Sequence, residues 1–172
     1  AHILENGLLD PNFNVFLNNQ VYSLFLDGEN DILYVGGAFT QVNGQNKSYL
    51  AVINTNTSLA TGFNVTPNAE VQEIVLSPDG NTMFIGGFFT MVAGQPRKSF
   101  AQIDIVNNQL SSLNLNLGSG ATIITSMYLD APNNVIYLGG SFSTILGQPM
   151  TDLAAVDLDD GTLTSFAPQI TG

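Results

Sequence analysis

"YVGGAFTQVNGQ", residues 34–45, decides the fold. The same shape returns as "FIGGFFTMVAGQ" at 84–95 and as "YLGGSFSTILGQ" at 137–148. Aligning the double glycines, Gly36-Gly37, Gly86-Gly87 and Gly139-Gly140, gives steps of 50 and 53 residues. A period of this size marks one supersecondary unit copied along the chain. The match spreads outward from the glycines. Val21, Val71 and Ile124 each stand fifteen residues before a first glycine. Phe63, Leu113 and Phe166 share a column downstream, and Phe13 joins it when residues 1–15 are laid over 51–65. The three extra residues of the second step fall in the loop at 118–122. Residues 1–19 therefore read as the second half of a unit, its third and fourth strands. Residues 20–69, 70–119 and 120–172 read as three whole units.

Each unit reads as four short strands. The first is Val21 to Leu26 and its copies. A turn rich in Asp, Asn, Gly and Pro follows, as in "DGEN", "SPDGN" and "DAPNN". The second strand is an apolar run from Ile32 to Val35, closed by the double glycine. The third is Leu50 to Asn54, and the fourth carries the Phe/Leu column. Short strands between turn signals, with no sustained 3.6-residue period, make the chain all-β. A four-stranded antiparallel unit of roughly 40–50 residues is the blade of a β-propeller. The chain then holds about three and a half blades of a partial or open propeller. Strands one and two are the most apolar and belong inside, between neighbouring blades. The glycine pairs suit positive φ or a backbone approach that a Cβ would block. Phe39, Phe89 and Phe142 would fill the gaps between blades. Gly36, Gly37, Phe39, Gly44 and their copies Gly86, Gly87, Phe89, Gly94, Gly139, Gly140, Phe142 and Gly147 form a structural motif. A feature present in every blade is what packing requires.

The pattern "GGxFTxVxGQ", followed by an "LAxxD"-like third strand and a fourth strand ending in Phe, resembles the delta-60 propeller repeat. That repeat is shared with fungal cortical markers of cell polarity and with large repetitive surface proteins of bacteria, several of them Bacteroidetes-like. The resemblance covers essentially the whole chain. The double glycine is also kelch-like, but kelch blades carry a Trp in the fourth strand, and this chain has no Trp. Leu113 in place of Phe, and "IVNNQ" without a turn glycine, depart from the pattern. The resemblance implies a propeller fold and an extracellular or cell-surface location. It implies no catalytic residue.

Composition narrows the functions. Of 172 residues, 44% are apolar and only 10% charged. Fourteen acids face Lys47, Arg97 and Lys98, for a net charge of −11. Such a surface repels phosphate backbones and anionic headgroups, so nucleic acid is not an expected partner. No apolar run reaches the ~20 residues of a membrane-spanning helix. The absence of cysteine removes disulfides and thiolate chemistry. The chain opens on Ala1, which suggests a processed or excised segment.

No catalytic constellation is visible. His2 is the one histidine, and a lone histidine makes neither a triad nor a three-ligand metal site. Serines and threonines lack a base to activate them. Asp157, Asp159 and Asp160 in "DLDDG" are candidate Ca²⁺ ligands. They lack the EF-hand spacing, and Asp-Gly equally suits a plain hairpin turn. Asp27, Glu29 and Asp31 form a second acidic turn. Sequons fall at Asn46, Asn56 and Asn64. Tyr22, Tyr49 and Tyr128 are candidate sugar platforms, whereas Tyr34 and Tyr137 belong to the core. No other cofactor is expected.

Three and a half blades leave a blade face uncovered, which invites association. The expected partners are other blades of the same protein or a second copy, with a protein or glycan ligand. The leading expectation is a non-enzymatic binding or structural segment of a larger secreted or cell-surface protein, acting in adhesion or as a scaffold. The alternatives are part of a carbohydrate-active propeller enzyme, or exported cargo or a spacer without a ligand.

Overall fold

The computed structural model describes residues 3–118 and 120–166. His2, Ser119 and the last six residues lie outside them. The first unit contains β1 (Val21–Asp27), β2 (Ile32–Gly37), β3 (Gln41–Val42), β4 (Gln45–Asn46), β5 (Leu50–Asn54) and β6 (Leu59–Ala60). The second contains β7 (Val71–Leu76), β8 (Thr82–Gly87), β9 (Met91–Val92), β10 (Gln95–Pro96), β11 (Phe100–Asp104) and β12 (Gln109–Leu110). The third contains β13 (Ile123–Asp130), a 3₁₀ turn Ala131–Asn133, β14 (Val135–Ser141), β15 (Thr144–Ile145), β16 (Gln148–Pro149) and β17 (Leu153–Asp157).

Each unit forms an antiparallel meander. The strand orders are β1-β2-β5-β6, β7-β8-β11-β12 and β13-β14-β17. The innermost strands pack on one another, β1 on β7 and β7 on β13. Successive sheets are thus stacked as propeller blades, and the ring is not closed.

Alternation along the strands builds the core between sheets. Tyr34, Leu50 and Val52 point from the first sheet onto Val71, Ile74, Met83, Ile85 and Ile103 of the second. Phe84 and Phe100 point the other way, onto Ile124, Ile136 and Leu138 of the third. Full burial of each such side chain contributes about 1.5–3 kcal/mol, so the inter-sheet seams supply much of the cohesion.

Three features differ from the sequence reading. The fourth strands are only two residues long, and in the third unit the fourth strand is reduced to the single bridge Val156–Leu163. Phe63, Leu113 and Phe166 lie beyond these strands rather than on them. A hydroxyl two residues earlier turns the chain off the sheet. Thr61, Ser111 and Thr164 accept the N–H groups of Phe63, Leu113 and Phe166 at 3.3, 3.4 and 3.2 Å. Second, the third and fourth strands expected within residues 1–19 are not formed among the described residues. Ile3–Leu9 and Leu17–Val42 are isolated bridges. A third strand elsewhere pairs with a second strand, and residues 3–10 have none beside them.

Third, an unexpected two-residue hairpin stands between strands two and three of each unit, as β3–β4, β9–β10 and β15–β16. Its central pairs, Asn43-Gly44, Ala93-Gly94 and Leu146-Gly147, all have positive φ between 48° and 78°. This is the turn whose twist matches antiparallel strands, and it favours Asn-Gly. The hairpin drives Val42, Val92 and Ile145 into the core. The segment arriving from the previous unit locks it. Asn43 donates its N–H to Phe16 O at 2.8 Å, Ala93 to Thr66 O at 2.9 Å, and Leu146 to Leu115 O at 2.8 Å.

Ala93 is exposed and holds φ 49°, where a Cβ is disfavoured. In the first unit Asn43 fills this position, and its Oδ1 accepts the N–H of Phe16 at 2.7 Å. Ala93→Asn is expected to stabilise the chain by about 0.5–1 kcal/mol, read as a higher urea midpoint at unchanged slope.

Candidate functional site

The repeated glycines sit at a bulge. Val21 pairs with Gly37 and Ser23 with Gly36, so Tyr22 is the extra residue; the same shift recurs at Val71/Glu73 and Ile124/Ser126. The second glycine of each pair lies under the strand entering the bulge. A Cβ on Gly37 would stand 2.2 Å from Gln20 O, on Gly87 2.1 Å from Glu70 O, and on Gly140 2.0 Å from Ile123 O. The first glycine faces the next sheet. A Cβ on Gly36 would stand 2.7 Å from Val71 Cγ1, and on Gly86 2.7 Å from Ile124 Cγ2. Gly139 differs: the nearest atoms are those of Ser126 at 3.8 Å. Close approach, not positive φ, explains the pairs. Gly44, Gly94 and Gly147 are the turn glycines of the hairpins. Phe39, Phe89 and Phe142 are all buried. Phe89 lies in the core between the first and second sheets, and Phe142 in that between the second and third. Phe39 occupies the opposite face of the first sheet, beside Val15 and Leu17.

That opposite face is where the repeat is incomplete. Leu24 and Leu26 of β1 are 60% and 62% exposed, whereas their counterparts Ile74 and Leu76 of β7 are 3% and 7% exposed. The far side of the third sheet carries the other half of the seam. There Gly139 is open, and the Tyr137 ring packs edge to face on Phe166 at 5.3 Å and lies 6.5 Å from Tyr128. Tyr137 is half-buried rather than core, while Tyr34 is buried as expected. Tyr22 and Tyr128 are exposed and Tyr49 is half-buried.

The acidic turns spend their oxygens locally. Asp157 accepts the N–H of Asp159 at 2.8 Å, Asp159 accepts the Asn134 amide at 2.6 Å, and Asp160 accepts the Thr162 hydroxyl at 2.7 Å. In the other turn, Asp27 accepts the Asn30 amide at 2.8 Å and Asp31 the Asn56 amide at 2.7 Å. The hydrogen bonds from Thr162 hold the Asp160 carboxyl below the usual range, and those from Asn107 do the same for Asp104. Among the described residues, no group of three or more His, Cys, Asp or Glu side chains is placed to hold a metal ion.

Sequence reasoning passed over one titratable group. Glu73 stands on the innermost strand of the second sheet, in the column of Ser23 and Ser126. Ser23 Oγ accepts the N–H of Ile74 at 3.1 Å and reaches Glu73 Oε1 at 3.5 Å. Burial pushes the Glu73 carboxyl above the usual range, although bonds from Ser23 and the Ile74 N–H pull the other way. The clue in the sequence was a charge at a column otherwise held by serine.

These features define an all-β chain of open β-propeller architecture, its sheets joined by glycine seams. A family model described as a beta-propeller domain of unknown function, DUF5122, matches residues 32–63, which span β2 to the turn after β6. No curated protein matches the chain. Among solved structures, it is similar to the extracellular domain of a protein described as a hybrid two component system of B. thetaiotaomicron. Their identity is 12% and the TM-score 0.58, over 88% of this chain and 19% of that one. It is also similar to the extracellular domain of a protein described as a one component system of the same organism. There the identity is 13% and the TM-score 0.50, over 86% of this chain and 22% of that one. The chain therefore spans about a fifth of each of those chains, and the likeness is one of fold.

Two outcomes follow from this geometry. Gly87→Ala meets rigid backbone and is expected to destabilise most. Gly86→Ala forces Ile124 aside and should cost about 1–3 kcal/mol, while Gly139→Ala should be near neutral in this chain; urea midpoints rank the three. Glu73 with a raised folded pKa destabilises the fold once ionised, so its contribution worsens as pH rises through that value. Glu73→Gln is expected to stabilise the chain at pH 7, with the gain vanishing below the ordinary glutamate range, as read from unfolding midpoints across that pH span.

Proposed function

We propose that this chain is a segment of a larger extracellular propeller of the delta-60 repeat type, acting as a non-enzymatic structural and binding scaffold at a bacterial surface. The observation that carries this reading is the pair of unmatched half-seams. One end offers Leu24 and Leu26, the counterparts of residues that a glycine face covers elsewhere. The other end offers Gly139, the counterpart of glycines that accept such residues. Each end has the shape that the other fits, so the natural occupant is another unit of the same repeat, supplied by the same protein or by a second copy. The surface location is supported by the extracellular domains that share the fold. The carboxylates of the two acidic turns are held by their own turns or by nearby asparagines, and this favours a scaffold over a carbohydrate-active enzyme, which needs two carboxyls across a cleft.

Sedimentation equilibrium tests the seam. The chain is expected to associate head to tail, and Leu24→Glu is expected to abolish association without lowering the unfolding midpoint. A monomeric chain indifferent to Leu24→Glu would count against it. Glycan turnover by this chain, lost in Glu73→Gln, would favour the enzymatic alternative.

A further inference from the structure

Against fourteen acids, the three cations of this chain would be expected to find carboxylate partners. None does among the described residues; all three rest on main-chain carbonyls. Lys47 Nζ donates to Phe63 O at 2.9 Å. Arg97 donates to Pro96 O at 2.8 Å and to Ser111 O at 2.6 Å, and Lys98 Nζ donates to Gly118 O. Arg97 is only 7% exposed, and its Nε has no partner. A buried charge is normally paired, because carbonyl dipoles replace only part of its lost hydration.

Arg97 and Lys98 line a shallow, open depression of about 300 Å³, together with Thr90, Asn114, Asn116 and Leu117. The repeat shows that packing does not demand the cationic pair. The corresponding positions are Lys47-Ser48 in the first unit and Met150-Thr151 in the third. Only the second unit sets two cations side by side, at the edge of an open depression.

We propose that this depression binds a carboxylated, hydroxyl-rich small molecule, a uronic acid residue of an acidic glycan. The carboxylate supplies the counter-charge that Arg97 and Lys98 lack. The side chains of Thr90, Asn114 and Asn116 offer donors and acceptors to ring hydroxyls. The chain's net charge of −11 opposes any anion, a single carboxylate less than a phosphate dianion, so the attraction has to come from the local pair Arg97 and Lys98. This site is independent of the open sheet faces and goes beyond the scaffold reading.

The test is titration of the full chain with sodium glucuronate, glucose and sodium acetate at low ionic strength, followed by calorimetry and amide NMR shifts. Glucuronate is expected to bind saturably and at least about ten-fold more tightly than glucose or acetate, with the largest shifts around residues 97–98 and 114–117. Lys98→Gln is expected to weaken glucuronate about ten-fold at an unchanged unfolding midpoint. Arg97→Lys, which keeps the buried charge but loses the planar fork, serves as the second variant and is expected to weaken it as well. Absence of saturable glucuronate binding, equal binding of glucose, or full affinity in a folded Lys98→Gln would overturn the proposal. Acetate binding as tight as glucuronate would overturn the sugar and leave an adventitious anion only.

Discussion

The structure depends on one steric constraint. Where successive sheets meet, there is no room for a Cβ. Gly36 receives Val71 and Gly86 receives Ile124 at distances that any side chain would forbid. The second glycine of each pair removes a further obstacle, the carbonyl of the residue entering the bulge. Bulge and glycine pair are therefore one device. The bulge bends the innermost strand, and the glycines let that bent strand lie flat against its neighbours on both sides. The apolar clusters on either side of each seam follow from this approach.

Much of this architecture was legible in the sequence, because its cause is local and repeated. Three copies of "GG" in one register report a packing need, and Tyr34, expected in the core from its place in the apolar second strand, does lie in the seam against the second sheet. Other parts were not legible. The fourth strand was overread because Phe63 looks like a strand residue, although Thr61 had already turned the chain. The small hairpins were missed because only Asn43-Gly44 carries the expected turn pair. Ala93 and Leu146 adopt the same conformation because the incoming segment ties down their N–H groups, which is a tertiary override of local preference.

The chemical features divided in the same way. The acidic turns of "DGEND" and "DLDDG" were visible as clusters, but a cluster in sequence says nothing about where the oxygens point. In the fold each oxygen named above closes its own turn or ties a nearby asparagine. Glu73 and Arg97 gain their interest only from burial, which a single sequence cannot reveal. Glu73, and Lys98 beside Arg97, are also places where the second unit breaks with its siblings.

The hairpin locked by the preceding segment has a further consequence. Phe16, Thr66 and Leu115 each reach across a unit boundary to fasten the next hairpin. Sheet and sequence repeat coincide, yet the hairpin of each unit is fastened by residues its predecessor encodes. Gene duplication can lengthen or shorten such an array only by whole periods, whichever breakpoint it uses. A partial insertion would strand one hairpin without its fastening.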